Sequence, residues 1–389
     1  MTNIIKFVQT KTMKKKILIR IGSLRHGGAE KVLVTFLKNL SPEKYEIDLL
    51  LNLYSGKYLK DVPSWVNIYY LNKGEMITTN RPQDIPEKTF RVIYQKILKK
   101  FPKLLYKYIL PNKKYDIEFA AIHGISDEIL NSPIKSSKKI VWIHNDLSNV
   151  SGYTEEKLKK FFEFDKILVI SNKINELFLS LADSEIEMQK IARIYNPIDV
   201  EEIINLAKKP AEISKKEEIK TFVSIGTVFP QKGFDRLLRV HRRLIDEGYQ
   251  HNLWIVGDGY DFPNIQKLFH ELKVEETAKL IGFKENPYPY FVQADYYILS
   301  SRYEGYPTVL FEAMVLAKPI IATDVSGVRE ILNDGELGYI IPNDEDDIYN
   351  GMKYFLENQQ QAESYTKIIQ SKSLPFELKN AVESIEKHF

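Results

Sequence analysis

There is no cysteine among the 389 residues. Disulfide frameworks, thiolate nucleophiles and cysteine-ligated zinc are therefore excluded. No apolar run approaches the ~18 residues a membrane-spanning helix requires. The N-terminus, MTNIIKFVQTKTMKKKILIRIGS, lacks the long apolar region of a signal peptide. Met13, followed by lysines and an apolar strand, reads as a second start, which makes the residues before it a short unstructured leader. No His pair has metal-ligand spacing, and there is neither a G-x-S-x-G elbow nor a G-x-G-x-x-G fingerprint. No Asp-x-Asp cluster precedes a candidate ligand loop, so no metal is expected.

What is present is ordinary for a globular chain: 44% hydrophobic and 28% charged residues. The length suits two domains. A net charge of +3 hides an asymmetry, with residues 1–200 carrying +11 and residues 201–389 carrying −8. One domain is therefore expected to face an anionic surface or ligand, with scattered solvated charge as the plain alternative. No nucleic-acid motif accompanies the basic half, and no nucleic-acid partner is expected.

Short aliphatic runs alternate with amphipathic stretches. Strands are expected at Ile17–Ile21, Ile47–Asn52, Ile117–Ala121, Ile140–Ile143 and Ile167–Ile170. A second series follows at Thr221–Ile225, Asn252–Val256, Ala278–Ile281, Tyr296–Leu299, Pro319–Ala322 and Gly338–Ile341. Uninterrupted runs of this kind suit parallel strands covered on both faces. The expected architecture is α/β, with two doubly wound, Rossmann-like parallel sheets facing across a cleft. Residues 1–198 form the first domain, the polar stretch 199–219 a linker and 220–370 the second domain, while 371–389 form a C-terminal helix able to return to the first. Ligands of open parallel sheets bind beyond the carboxyl ends of the strands.

The unusual residues gather at those ends. Segment 300–319 reads SSRYEGYPTVLFEAMVLAKP. Pro307 suits the first position of a helix, whose free amides would face a phosphate. Glu304 precedes that helix start and Glu312 follows it, so two carboxylates flank an anion site, as hydroxyls on both sides of a diphosphate would require. A glutamate offsetting the helix dipole beside a surface glutamate fits the same spacing. The loop Gly226-Thr227-Val-Phe-Pro-Gln-Lys232-Gly233 brings amides and a cation to the end of its strand, though without P-loop spacing. Gly22–Glu30 opens a helix with paired Gly27 and Gly28, which permit close approach of a ligand. His144 ends the strand Val-Trp-Ile, where a ligand or a structural role is open to it; His26 and His123 carry less weight. Asp258 lies in a similar turn.

These segments together resemble the retaining glycosyltransferases of family four, which have the GT-B fold. The resemblance rests on Glu304-Gly305-Tyr306-Pro307, Glu312-Ala313-Met314, Lys318–Thr323, Gly327-Val328-Arg329-Glu330 and Gly338, with Gly27–Glu30, Lys232-Gly233 and Tyr195-Asn196-Pro197 in the same order. It implies that Glu304 binds donor-sugar hydroxyls and Glu312 the ribose. Amides of Gly305, Tyr306, Pro307, Thr308 and Val309 would hold the sugar and diphosphate. Lys232 would neutralise the leaving diphosphate, Gly27 and Gly28 would line it from the first domain, and His144 would lie near the reacting sugar. The base would rest by Gly282 and Phe283. Where the family often carries arginine, this chain has Thr227, and Arg302 is the candidate to compensate.

The implied activity is hexosyl transfer from a nucleotide sugar, UDP-linked by preference, to a lipid-linked saccharide in capsule, exopolysaccharide or O-antigen synthesis, without a metal or other cofactor. A sugar-nucleotide epimerase or hydrolase, and a non-catalytic partner with a decayed donor site, are the alternatives. Residues 88–114 hold nine Lys or Arg and no acid. Within them Phe90, Ile93, Tyr94, Ile97, Leu98, Phe101, Leu104, Leu105 and Tyr108 recur at helical spacing, interrupted at Pro102. That pattern suits a helix lying on an anionic membrane surface, and equally a core-packing helix with a solvated lysine face. A peripheral position on the inner face of the cell membrane is the expected location.

Overall fold

The computed structural model describes residues 13–25, 27–74, 85–110, 114–150, 152–213, 218–372 and 377–389. The leader expected before Met13 and His26 lie outside them. Among the described residues the chain forms two parallel sheets. The first contains β1 (Lys15–Ile21), β2 (Tyr45–Tyr54), β3 (Asn67–Lys73), β4 (Ile117–Ala120), β5 (Lys138–Ile143), β6 (Lys166–Val169) and β7 (Ile191–Arg193). Its order is β3-β2-β1-β4-β5-β6-β7. The second contains β8 (Thr221–Ile225), β9 (Asn252–Val256), β10 (Ala278–Gly282), β11 (Tyr296–Leu299), β12 (Ile320–Thr323) and β13 (Tyr339–Ile341), in the order β10-β9-β8-β11-β12-β13.

The buried runs explain the arrangement. Ile17, Ile19 and Ile21 face the helix Gly28–Lys38, whose Val32, Leu33 and Phe36 are buried against them. Leu18, on the other face of β1, packs beneath the helices Ile85–Lys100 and Pro102–Tyr108 with Leu98, Leu105 and Tyr106. Strands with both faces covered must be apolar throughout, as β1 mostly is. Each sheet reverses its strand order once, between β1 and β4 and between β8 and β11. Crevices open at such reversals, because neighbouring connections leave in opposite directions.

Three segments add detail to the sequence expectation. The polar stretch 199–219 is not linker alone, since Asp199 caps a helix over Val200–Ala207 that buries Ile203 and Ala207. The amphipathic segment breaks at Phe101, where Pro102 starts a second helix because its ring cannot continue the first. Phe389, the last residue, packs edge-on against Phe36, Tyr45 and Phe119 of the first domain, and Lys15 Nζ donates to its carbonyl at 3.1 Å.

Candidate active site

The loops that follow β1, β5, β8 and β11 converge on one cavity of about 750 Å³ between the two domains. Two helix starts face each other across it. Gly28 opens the helix of the first domain, and Thr308 opens the helix Thr308–Val315 of the second. A Cβ on Gly28 would come within 3.3 Å of Thr308 Oγ1, so the two starts nearly touch. Neither start has a capping side-chain bond; the Glu30 carboxylate lies against Gly27 and bonds its own amide, so the free amides of the Thr308 start are the part of this corner suited to an anion. Pro307 occupies the capping position rather than the first helical one, with extended backbone (φ −69°, ψ 93°). Gly305 is fixed by proximity, since a Cβ there would sit 2.5 Å from the His144 carbonyl oxygen.

Lys232 and Glu304 meet directly, Nζ to Oε1 at 2.6 Å. Ser301 Oγ donates to the same carboxylate at 2.6 Å, which fixes its position, and the Glu304 side chain is only 8% exposed. The lysine stem lies over Gly226, and Thr227 lines the cavity beside it. Tyr306 is buried against Phe311 with ring centroids 5.4 Å apart, and its hydroxyl reaches towards Glu330 at 3.5 Å.

His144 is buried beneath Trp142, with ring centroids 4.5 Å apart. Burial, with His123 nearby, pushes its pKa down to about 3. The ring is therefore neutral at physiological pH. It hydrogen-bonds the Ala121 backbone, while Nε2 has no partner. The Ala121 amide is already used, donating to the Arg20 carbonyl. The Ala121 carbonyl is left as the histidine's acceptor, which puts the ring proton on Nδ1 and leaves Nε2 to accept.

The cavity brings together Gly27, Gly28, His144, Thr227, Lys232, Phe283, Glu304, Gly305, Tyr306, Pro307, Thr308, Val309 and Glu312. Two expected residues are not in its lining. Gly282 contributes its carbonyl to Gly257 N at 2.9 Å, a bond that ties two loops together behind the cavity wall. Arg302 does not compensate for Thr227. Its guanidinium is held by Asp235 at 2.7 and 2.8 Å and by the Pro230 carbonyl at 2.7 Å. That pairing holds the Asp235 carboxyl down at about 2, because the arginine contacts outweigh the opposing effect of burial.

Residues that sequence reasoning missed complete the site. Lys31, one turn into the first-domain helix, reaches across the cleft to Glu312 Oε1 at 2.5 Å and also hydrogen-bonds the Tyr288 hydroxyl. Burial works against its charge, but Glu312 outweighs burial and holds the ammonium above the usual lysine range. The i+3 position relative to Gly28 was the only local signal for it. Lys57 lies over the Phe283 and Tyr58 rings, each at 4.7 Å. Burial and the neighbouring Lys31 hold Lys57 below the usual range. Arg193 and the Asn172 amide bind Glu330, fastening the domains at a second point.

Residues 207–372 match the family Glycosyl transferases group 1. A relative from Campylobacter jejuni, named N-acetylgalactosamine-N,N'-diacetylbacillosaminyl-diphospho-undecaprenol 4-alpha-N-acetylgalactosaminyltransferase, is 27% identical over 374 residues, spanning 93% of this chain and 96% of its own. A lipopolysaccharide core biosynthesis glycosyltransferase, LpsE of Rhizobium meliloti, is 27% identical over 131 residues, 34% of this chain and 37% of its own. The crystal structure of Anabaena HepE in complex with UDP and glucose superposes with a TM-score of 0.70 at 16% identity, covering 96% of this chain and 98% of that one. With two facing parallel-sheet domains the chain has the GT-B fold, and residues 207–372 of its second half are similar to the group 1 glycosyl transferases.

Proposed function

We propose that the protein transfers a hexosyl unit from a nucleotide sugar, UDP-linked by preference, to a lipid-linked saccharide with retention of anomeric configuration, in the synthesis of a bacterial surface polysaccharide. The observation that carries the donor reading is the Lys232–Glu304 pair set beside two facing helix starts. A diphosphate in that corner meets a lysine and the uncapped amides of the Thr308 start, while the carboxylate of Glu304 accepts from sugar hydroxyls. Glu312 takes the ribose, and Phe283 lies where the base would rest.

The glycosidic C–O bond to the diphosphate breaks and the acceptor oxygen attacks from the same face. The leaving phosphate oxygen takes the acceptor proton. The protein supplies charge stabilisation and alignment rather than a nucleophile. His144, neutral, lines the cavity beside the reacting sugar. Lys232 and the helix starts perform the electrostatic task a metal performs elsewhere, so turnover is expected to survive excess chelator.

The acceptor reading is supported by the relative whose name specifies a diphospho-undecaprenol acceptor. It is also supported by the helices Ile85–Lys100 and Pro102–Tyr108, which leave Phe90, Ile93, Ile97, Phe101 and Tyr108 exposed among lysines. No described helix is long and apolar enough to cross a membrane. The exposed rings beside lysines support the reading that the protein sits peripherally on the inner face of the membrane. The test is product analysis with a panel of nucleotide sugars and a lipid-linked saccharide. Transfer with an axial-to-axial or equatorial-to-equatorial outcome is expected. Inversion overturns the mechanism, and release of free sugar or an epimerised nucleotide overturns the transfer itself.

A further inference from the structure

Three lysines of the first domain reach over the cleft and rest on the wall of the second. Lys31, on the helix Gly28–Lys38, bonds Glu312 Oε1 at 2.5 Å and also the Tyr288 hydroxyl. Lys57 and Lys60 come from the short helical turn Lys57–Asp61 that follows β2. Lys57 Nζ lies 4.7 Å from the centre of the Phe283 ring, and Lys60 pairs with Glu285. All of these residues line the interdomain cavity.

Each contact joins the two domains, and two of them occupy groups that a nucleotide needs. An ammonium seated on the Glu312 carboxylate stands where ribose hydroxyls would donate. The Glu312 side chain is only 13% exposed, so little of it is left for a ligand. An ammonium over the Phe283 ring covers a face on which a base would stack. The corner for the diphosphate is equally tight. A phosphate held between two groups needs a hydrogen bond of about 3 Å on each side, besides its own width. A Cβ on Gly28 would already meet Thr308 Oγ1 at 3.3 Å, and one on Gly305 would meet the His144 carbonyl oxygen at 2.5 Å. The two helix starts therefore stand closer than they can with a diphosphate between them.

We propose that the empty protein rests closed on itself, with Lys31, Lys57 and Lys60 plugging the nucleotide half of the cleft, and that the domains part before a nucleoside diphosphate enters. The part played by nucleotide rests on the reading of Glu312 and Phe283 as ribose and base contacts; the closed resting state rests on the contacts alone. A ligand that binds only the parted form has its affinity reduced by the fraction of molecules already parted. Weakening the plug must therefore tighten nucleotide binding, and nucleotide binding must expand the molecule rather than contract it. Removing two cations from a cleft would by itself weaken the binding of an anion, so the plug predicts the opposite sign.

Small-angle X-ray scattering of the full chain with and without UDP, alongside calorimetric titration of UDP, tests this. The radius of gyration of the wild-type chain is expected to rise as UDP saturates it. Lys31→Met combined with Lys60→Met should expand the chain without UDP and bind UDP at least threefold more tightly. Lys60→Glu, which sets a like charge against Glu285, should also expand the empty chain, and adding Glu285→Lys should reverse that expansion by restoring the pair. If the double methionine variant does not fold, Lys60→Glu decides, since the Lys60 side chain is 60% exposed and its replacement leaves the core intact. A radius that falls or stays fixed as UDP binds overturns the proposal, as do folded variants that keep the wild-type radius or an expansion that Glu285→Lys does not reverse. Failure of UDP to bind the wild-type chain counts instead against the donor site, and the radii of the empty variants then decide the plug.

Discussion

Lys31 shows what a side chain can do that its sequence neighbourhood does not announce. Glu304, Glu312 and Lys232 were legible because each sits at a fixed offset from a helix start or a glycine loop. The partner of Glu312 comes from 281 residues away and depends on how the two domains close. Arg302 was misread for the same reason, since Asp235, 67 residues distant in sequence, captures it. Because Lys31 occupies the carboxylate proposed for the ribose, a nucleotide must displace it. Lys31→Met is therefore expected to tighten UDP binding. An ion pair of this partial exposure is worth up to about 1 kcal/mol, or roughly fivefold. Calorimetric titration checks the direction, and weaker binding would make Lys31 a diphosphate contact instead. Glu304→Gln should lower turnover by about tenfold to a hundredfold, the loss expected from one charge-assisted partner worth about 1.5–3 kcal/mol. UDP affinity should hold or rise in the same variant, because Lys232 is released from its pair. Full turnover in a folded Glu304→Gln protein would remove this residue from the site.

At the scale of elements, the strands that read clearly were those with uninterrupted aliphatic runs, and each became an interior strand or the edge of a well-buried sheet. β3 and β7 did not read. β3 is NIYYLNK, exposed at every third position along the sheet edge; β7 is only IAR. An edge strand covers less apolar surface, so it carries less of the pattern that marks a buried strand. The basic segment was legible as amphipathic but its surroundings were not. Leu98, Leu105 and Tyr106 pack inward, while Phe90, at 66% exposed, and Tyr108, at 70%, face outward. The segment thus serves the core on one side and leaves apolar rings beside lysines on the other. Lys99 is engaged with Asp127 at 3.3 Å, so it is a poor probe of membrane attraction. Lys96, Lys100 and Lys103 changed together to glutamate should reduce co-sedimentation with anionic vesicles. At roughly 1 kcal/mol per basic residue near such a surface, removing three charges costs well over tenfold. Binding should also weaken with added salt. Equal binding of wild type and variant to neutral vesicles would assign the helices to packing alone.

The whole molecule depends on closure of two domains, and only its outline was readable beforehand. Alternating strands and helices announced two parallel sheets because that pattern has few packing solutions. The contacts between the sheets were not readable, since Lys31–Glu312, Arg193–Glu330 and Gly305 against the His144 carbonyl join residues with no local relation. Folding of each domain also buries ionisable groups, which makes the fold sensitive to acid. Burial lowers the pKa of His144 to about 3 and that of His123 and His251 to about 4, and holds His241 well below its ordinary value. Above pH 6.5 these rings are neutral in both the folded and the unfolded chain, and they leave stability unchanged. Below it the unfolded chain takes up protons that the folded chain refuses, so stability falls as pH falls. Each fully buried imidazole removes about 1.4 kcal/mol per pH unit in that window. The melting temperature is therefore expected to be nearly level between pH 7 and 8 and to drop steeply from about pH 6 to 4.5, before most carboxylates titrate. His144→Gln should make the drop shallower by one proton's worth while leaving the plateau in place. A melting temperature that stays level from pH 7 down to 5 would mean that the histidines are protonated in the folded chain, and His144 would then be a cationic group facing the sugar rather than a neutral acceptor.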